Sequence, residues 1–269
     1  MQLYNHNHKN LIYIKQSATP EFWDDHWQVD SSLRKKITKE KNTFVTNITK
    51  KYIKPKDGII LEGGCGTGIH VAALQEKGYR CIGIDYAQHT VASVNTMIPE
   101  IDVRLGDVRK LEFDDDYFAG YWSLGVIEHF WEGYLSIQQE IKRVLQPGGY
   151  LFLTFPYMSP LRKIKVRLNL YDEWKIDHAP PAFYQFALNH SSVIKDFTQQ
   201  GFKLVKSQPM LGLRAAKDEI GFLRPLLEKL HTYDGSSPVV KGIKVTLSKL
   251  LTPFSGHLIL LIFKKNKSL

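Results

Sequence analysis

Three carboxylates, a glycine-rich turn and one histidine stand where their types and spacing could do chemistry together. The run Ile59-Ile60-Leu61-Glu62-Gly63-Gly64-Cys65-Gly66-Thr67-Gly68 joins an apolar stretch, read as a buried parallel strand, to an acid and then to glycines at 64, 66 and 68. Glycine permits positive φ and lets backbone approach a ligand closely, and a helix starting behind the turn offers unpaired N–H groups. Asp85 closes a second segment, Arg80 to Asp85, about twenty residues on, the spacing at which an acid can bind ribose hydroxyls. Asp107 ends a third segment, Asp102 to Val108, and His129 follows a fourth, Phe118 to Leu124. An open sheet places its ligand crevice at those strand ends. The set suits a nucleotide-type cofactor, with the histidine as a candidate proton acceptor.

The dinucleotide fingerprint G-x-G-x-x-G needs a third glycine where Ile69 stands, and no phosphate-loop lysine follows, so a P-loop is excluded. Glu62-Gly63-Gly64-Cys65-Gly66-Thr67-Gly68 resembles motif I of the class I S-adenosylmethionine (SAM)-dependent methyltransferases. The resemblance implies that Glu62 lies near the amino group of SAM, with the turn of Gly63, Gly64, Cys65, Gly66 and Gly68 packed under the methionine part. It implies Asp85 at the ribose, Asp107 beside the adenine amino group, and Tyr86, Val108 and Leu124 as further cofactor contacts. An acid near an ammonium is electrostatically sound; the same acid facing a pyrophosphate would be repulsive. Leu145-Gln146-Pro147-Gly148-Gly149 before the run Tyr150 to Phe155 is similar to many small-molecule methyltransferases. The resemblance covers Ile53 to Phe155 closely and the chain from Ser191 onward loosely.

The elements that must position these groups follow from periodicity. The chain reads as α/β, a Rossmann-like seven-stranded doubly wound sheet with helical cap insertions. Residues 1–52 are expected to form an N-terminal helical lid and residues 53–269 the SAM-dependent domain, with caps at about 156–189 and 208–255. Core helices are expected near 68–77, 88–97 and 132–145. Thr19-Pro20-Glu21 starts a short aromatic helix through Trp27, and Ser31 or Ser32 caps a longer basic helix to about Lys51. The first insertion holds six aromatics, and the second is read as helices over Asp218 to Leu230 and Val239 to Leu250. In the family the sixth and seventh strands pair as an antiparallel hairpin, which the second insertion would open.

The 269 residues, 43% of them hydrophobic, permit one α/β domain with elaborations. Two cysteines, Cys65 and Cys81, read as packing residues and suit a reducing compartment. The amino terminus lacks a signal-peptide shape and no apolar run reaches spanning length, so a soluble, cytoplasmic protein is expected. The net charge of +9 is concentrated in clusters around Arg34 to Lys56, which include Lys41, and at Arg162, Lys163, Lys165 and Arg167. These are solvated faces or attract an anionic partner: a phosphorylated substrate, a lipid surface or RNA.

Methyl transfer from SAM needs alignment of nucleophile, methyl and sulfur, and a hydroxyl nucleophile must also lose its proton. His129 is the leading base, with Glu128 beside it to orient the ring; His26, His178 and His190 are rivals. Tyr157, just past the fifth strand, is a candidate to hold the acceptor. After the fourth strand Ser123-Leu124-Gly125-Val126 is not the Asn/Asp-Pro-Pro-Tyr/Phe motif used on exocyclic amines, and no Pro-Cys nucleophile exists. No metal-ligand spacing and no RNA-binding appendage is visible. The expected activity is methyl transfer to a small-molecule acceptor, anionic or lipid-like, as O-methylation of a sugar, glycolipid or natural-product hydroxyl. N- or C-methylation of a lipid headgroup or quinone, and a SAM-binding regulator without turnover, stay open. So does the oligomeric state.

Overall fold

The computed structural model describes residues 1–27, 29–39, 43–176 and 178–267. The chain opens with a hairpin, β1 (Gln2–Asn5) and β2 (Asn10–Ile14), then α1 (Pro20–Trp27), α2 (Leu33–Lys39) and α3 (Phe44–Thr49). The core alternates β3 (Ile59–Gly63), α4 (Ile69–Glu76), β4 (Arg80–Asp85), α5 (Gln88–Met97), β5 (Val103–Leu105), β6 (Phe118–Leu124), α6 (Leu135–Val144) and β7 (Leu145–Pro156). A first insertion contributes α7 (Pro160–Arg167), β8 (Asp172–Glu173) and β9 (Phe183–Ala187) before the core resumes with α8 (His190–Gln199) and β10 (Phe202–Met210). A second holds α9 (Gly212–Glu219), α10 (Arg224–Thr232) and α11 (Pro238–Ser255) and leads into β11 (Leu258–Lys265).

Seven strands form one sheet in the order β10-β11-β7-β6-β3-β4-β5. The four pairings among β3 to β7, namely β3–β4, β4–β5, β3–β6 and β6–β7, are all parallel. β11 runs antiparallel to both β7 and β10. The second insertion therefore lengthens the loop of the terminal hairpin without separating its strands. Side chains alternate between faces: Leu61, Tyr121, Leu153 and Leu261 feed one buried layer, and Ile60, Trp122, Phe152 and Leu260 feed the other. Both faces are covered by helices, which is why the central strands read as continuous apolar runs.

The lid differs from the sequence expectation. Residues 1–14, assigned to a helical lid, form strands. β1 and β2 join β8 and β9 in a second sheet ordered β8-β1-β2-β9. Leu11 and Ile12 are fully buried there, opposite Ala187 and Phe186 of β9. Paired with a partner 176 positions away (Leu11↔Ala187), these apolar residues gain more as strand than as helix. The first insertion is thus part strand, not a helical cap. The long basic helix is also divided. α2 ends at Lys39, and α3 has its own N-cap, Thr43, whose hydroxyl accepts from Thr46 N–H at 3.1 Å; Lys41 lies outside the described residues. In the second insertion, α9 ends and a single turn at Gly221–Leu223 precedes α10, where one helix was expected over Asp218 to Leu230.

A buried ion cluster locks both insertions together. Arg162 of α7, fully buried, donates to Glu219 of α9 at 2.8 Å and to the Tyr157 carbonyl at 2.8 Å. Lys165 and the Tyr171 hydroxyl also donate to Glu219, at 2.8 and 2.6 Å. Burial alone would raise the Glu219 carboxyl, but these donors hold it below its usual range. Removing one member of such a cluster leaves a buried charge unpaired, at a cost of about 3–5 kcal/mol.

Candidate active site

A cavity of ≈ 410 Å³ opens at the carboxyl edge of β3, β4 and β6, under α1, β9 and α9. Of the residues singled out in the sequence, Glu62, Gly64, Cys65, Asp85, Tyr86, Asp107, Val108, Leu124 and His129 line it. Gly63, Gly66, Gly68 and Tyr157 do not. The glycine turn bends through positive φ at Gly64 (74°) and Gly66 (51°). A Cβ on Gly66 would lie 2.6 Å from the Trp27 ring of α1. The bare backbone here serves the close seating of the lid. Tyr157 is buried with its ring against His190, centroids 5.3 Å apart, and burial pushes its hydroxyl up to about 12. Its carbonyl holds Arg162, a scaffold contact. Of the rival histidines, none of His26, His178 and His190 borders the cavity.

The three acids sit in three different environments. Glu62 is buried at the end of β3, and its Oε2 has no hydrogen-bond partner. Burial, reinforced by the nearby Asp85 charge, pushes its carboxyl up to about 8. Asp85 is also raised by burial, which outweighs the N–H groups of Ala87 and Gly66 that donate to it at 3.0 and 2.7 Å. The second of those bonds ties the end of β4 to the glycine turn. Asp107 is partly exposed; burial would raise it, but the Arg109 guanidinium, 2.6 Å away, wins and holds it low. A cation entering beside Glu62 would supply what that side chain lacks, whereas a phosphate would meet a second negative group.

The far wall carries two histidines in opposite tautomers. His129 follows β6 on a single turn, and its Nδ1 lies 2.7 Å from the Tyr184 carbonyl of β9. A carbonyl only accepts, so Nδ1 carries the proton and Nε2 keeps a lone pair. Burial drives its pKa down to about 4, against the pull of the Tyr184 and Gly125 carbonyls, so the ring is neutral at pH 7. His257, just before β11, turns Nδ1 to Arg162 NH2 at 3.1 Å. Arg162 only donates, so here Nδ1 accepts and Nε2 carries the proton. Burial and the Arg162 charge push His257 down to about 3. Glu128, beside His129, is buried with Oε2 unpartnered, and burial lifts it to about 8.

The lid is aromatic and bonded at several points. Trp23 meets His129 at 5.0 Å, edge to face, and stacks on Trp27 at 6.0 Å. The Tyr86 hydroxyl donates to the Ala18 carbonyl at 3.0 Å. α5 begins at Gln88 behind Ala87, which offers no side-chain cap. Asp24 of α1 fills that role, accepting from Thr90 N–H at 2.7 Å and from its hydroxyl at 2.9 Å. Asp24→Ala should therefore cost about 1 kcal/mol of stability and weaken ligand retention by loosening the lid. A thermal melt and a SAM dissociation rate check this; an unchanged rate would separate α1 from the closing of the site.

Sequence reasoning missed Trp27, His257 and Arg214, all of which line the cavity. None belongs to a motif; each reaches the site only through the packing of a lid or insertion. Among the described residues no three His, Cys, Asp or Glu side chains are placed to hold a metal ion, and no helix is long and apolar enough to cross a membrane.

Residues 61–153 match a family profile described as a methyltransferase domain. The chain is 35% identical over 97 residues to a probable S-adenosylmethionine-dependent methyltransferase of Mycolicibacterium smegmatis, covering 36% of this chain and 37% of that protein. It is 32% identical over 124 residues to (+)-O-methylkolavelool synthase of Herpetosiphon aurantiacus, covering 43% of each. It thus spans less than half the length of either relative. The solved complex of the Haloferax volcanii Trm112 methyltransferase activator with its methyltransferase partner superposes with a TM-score of 0.59 at 13% identity, covering 93% of this chain and 99% of that one, a likeness of fold. The glycine turn, the unpartnered Glu62 carboxyl and the strand-end acids fit SAM as the cofactor. Residues 61–153 therefore form a methyltransferase domain, similar to that of SAM-dependent methyltransferases.

Proposed function

We propose that this protein transfers a methyl group from SAM to a hydroxyl of a small-molecule acceptor, with His129 as the proton acceptor. The observation that carries the reading is the Nδ1–H to Tyr184 carbonyl bond, which leaves an unprotonated Nε2 on a residue lining the same cavity as Glu62. Glu62 would hold the cationic methionine end, Asp85 the ribose and Asp107 the adenine edge. When bound, SAM supplies a methyl on a sulfonium with a neutral leaving group. The chain's own share is alignment and proton removal. The Trp23 and Tyr184 rings pack on His129 at 5.0 Å each, fixing its ring and limiting water around it. Fixed geometry of this kind is worth a large part of such a barrier, and a placed base adds about 10²–10⁴-fold.

The relative named as an O-methylkolavelool synthase supports an oxygen acceptor on a natural product. Sugar and glycolipid hydroxyls suit the same base. Release of S-adenosylhomocysteine, followed by mass spectrometry over panels of sugars, glycolipids and terpenoid alcohols, tests this. Turnover only with amines or quinones would move the reaction to nitrogen or carbon. SAM binding without turnover on any panel would make the protein a SAM-binding regulator.

A further inference from the structure

We propose that Arg214 and the Nε2–H of His257 form an anion-recognition subsite in this cavity, so that the acceptor carries a carboxylate or phosphate group. The inference rests on the methyl-transfer reading and names its substrate class.

Arg214 is an exposed residue of α9 that also lines the cavity. Among the described residues it has no ion pair, hydrogen bond or ring partner. The acids of the same cavity do not neutralise it: Asp107 is taken by Arg109, and Asp85 by the backbone of Gly66 and Ala87. Glu128 and, before SAM binds, Glu62 are held protonated at neutral pH by their burial. The Arg214 charge is felt at Tyr184 and His257, both of which line the cavity, and also at His231 of α10.

Its base is rigid. α9 is pinned by the Arg162–Glu219–Lys165 cluster. Its first residue, Gly212, donates to the Thr252 hydroxyl at 3.1 Å and accepts from the Ser255 hydroxyl at 2.9 Å. His257 is equally fixed, since its N–H donates to the Met210 carbonyl at 2.8 Å and Nδ1 faces Arg162. Nε2–H is then the only ring donor left for the cavity. A cation without a counter-ion and a fixed neutral donor lining one cavity are groups that together can recognise an oxyanion.

The test titrates benzoate, phenyl phosphate and benzamide into the protein, with and without saturating S-adenosylhomocysteine, by ligand-observed NMR. Saturable millimolar binding of benzoate or phenyl phosphate, with none of benzamide, is expected. The stronger of the two anions tells carboxylate from phosphate. Arg214→Met should weaken that anion by about 10- to 100-fold and leave S-adenosylhomocysteine affinity unchanged. Arg214→Lys should restore part of the loss. Equal binding of benzamide, an unaffected Arg214→Met, or no anion binding would overturn the subsite. Failure of S-adenosylhomocysteine to bind would instead overturn the methyl-transfer reading, and the titration without it still reads the subsite.

Discussion

Glu62→Gln is expected to abolish SAM binding at neutral pH while making the protein more stable. The carboxyl is buried, its Oε2 is unpartnered, and it is lifted to about 8. The folded protein therefore holds a proton on Glu62 at pH 7 that the unfolded chain would release. For a raised acid, this stability contribution falls as pH climbs from the unfolded value toward 8, and the neutral amide escapes the penalty. The gain at pH 7 is up to roughly 3 kcal/mol. Binding a cation runs the other way. The ligand needs the ionised carboxylate, so its capture should expel about one proton at pH 7, and affinity should fall as pH drops below 8. Calorimetry in two buffers of different ionisation enthalpy measures that proton directly. A release of zero, with affinity flat between pH 6 and 9, would remove Glu62 from the cationic end of the ligand.

His129→Asn should lower turnover by about 10²–10⁴-fold with SAM affinity preserved. Asparagine can place an N–H where Nδ1 stands, keeping the bond to the Tyr184 carbonyl, but it offers no base at the Nε2 position. The variant separates a proton acceptor from a prop for the lid. A fall in kcat with KM for SAM unchanged supports the first; a rise in KM alone would assign His129 to lid closure. The pH profile adds a second reading. The base must be neutral, and burial has moved its pKa down to about 4. Activity should therefore persist through pH 6 and lose this group only near pH 4, where a solvated histidine would already fail at 6.5.

What could be read from the residues was what local spacing encodes. β3, the turn at Gly64 to Gly68 and α4 follow one another within eighteen positions, Ile59 to Glu76, so propensity, glycine placement and apolar pattern all act over short range. The alternation that sends Ile60 to one face and Leu61 to the other is equally local. The hairpin at residues 1–14 was not legible, because Leu11 and Ile12 are strand only against Ala187 and Phe186. The same holds at the site. Glu62, Asp85 and Asp107 announce themselves by standing at or just past the carboxyl ends of strands. His257 and Arg214 come from a segment whose helices pack on each other around Leu213, Ala216 and Leu227, and nothing in the spacing says where that bundle lands. Tyr157 shows the converse: proximity to a strand end placed it beside the crevice in sequence, while β7 carries it past the opening into the packing under His190.

The position of Arg162 has a consequence for exchange between proteins. One guanidinium reaches the carbonyls of Tyr157 and His257, the His257 ring and Glu219. The segment from 211 to 257 is therefore not an interchangeable module. A chimera that received a foreign version of it would strand this arginine in a dry interior and let the imidazole at 257 flip its proton. Any transplant of acceptor preference would have to move α7 along with the segment it anchors.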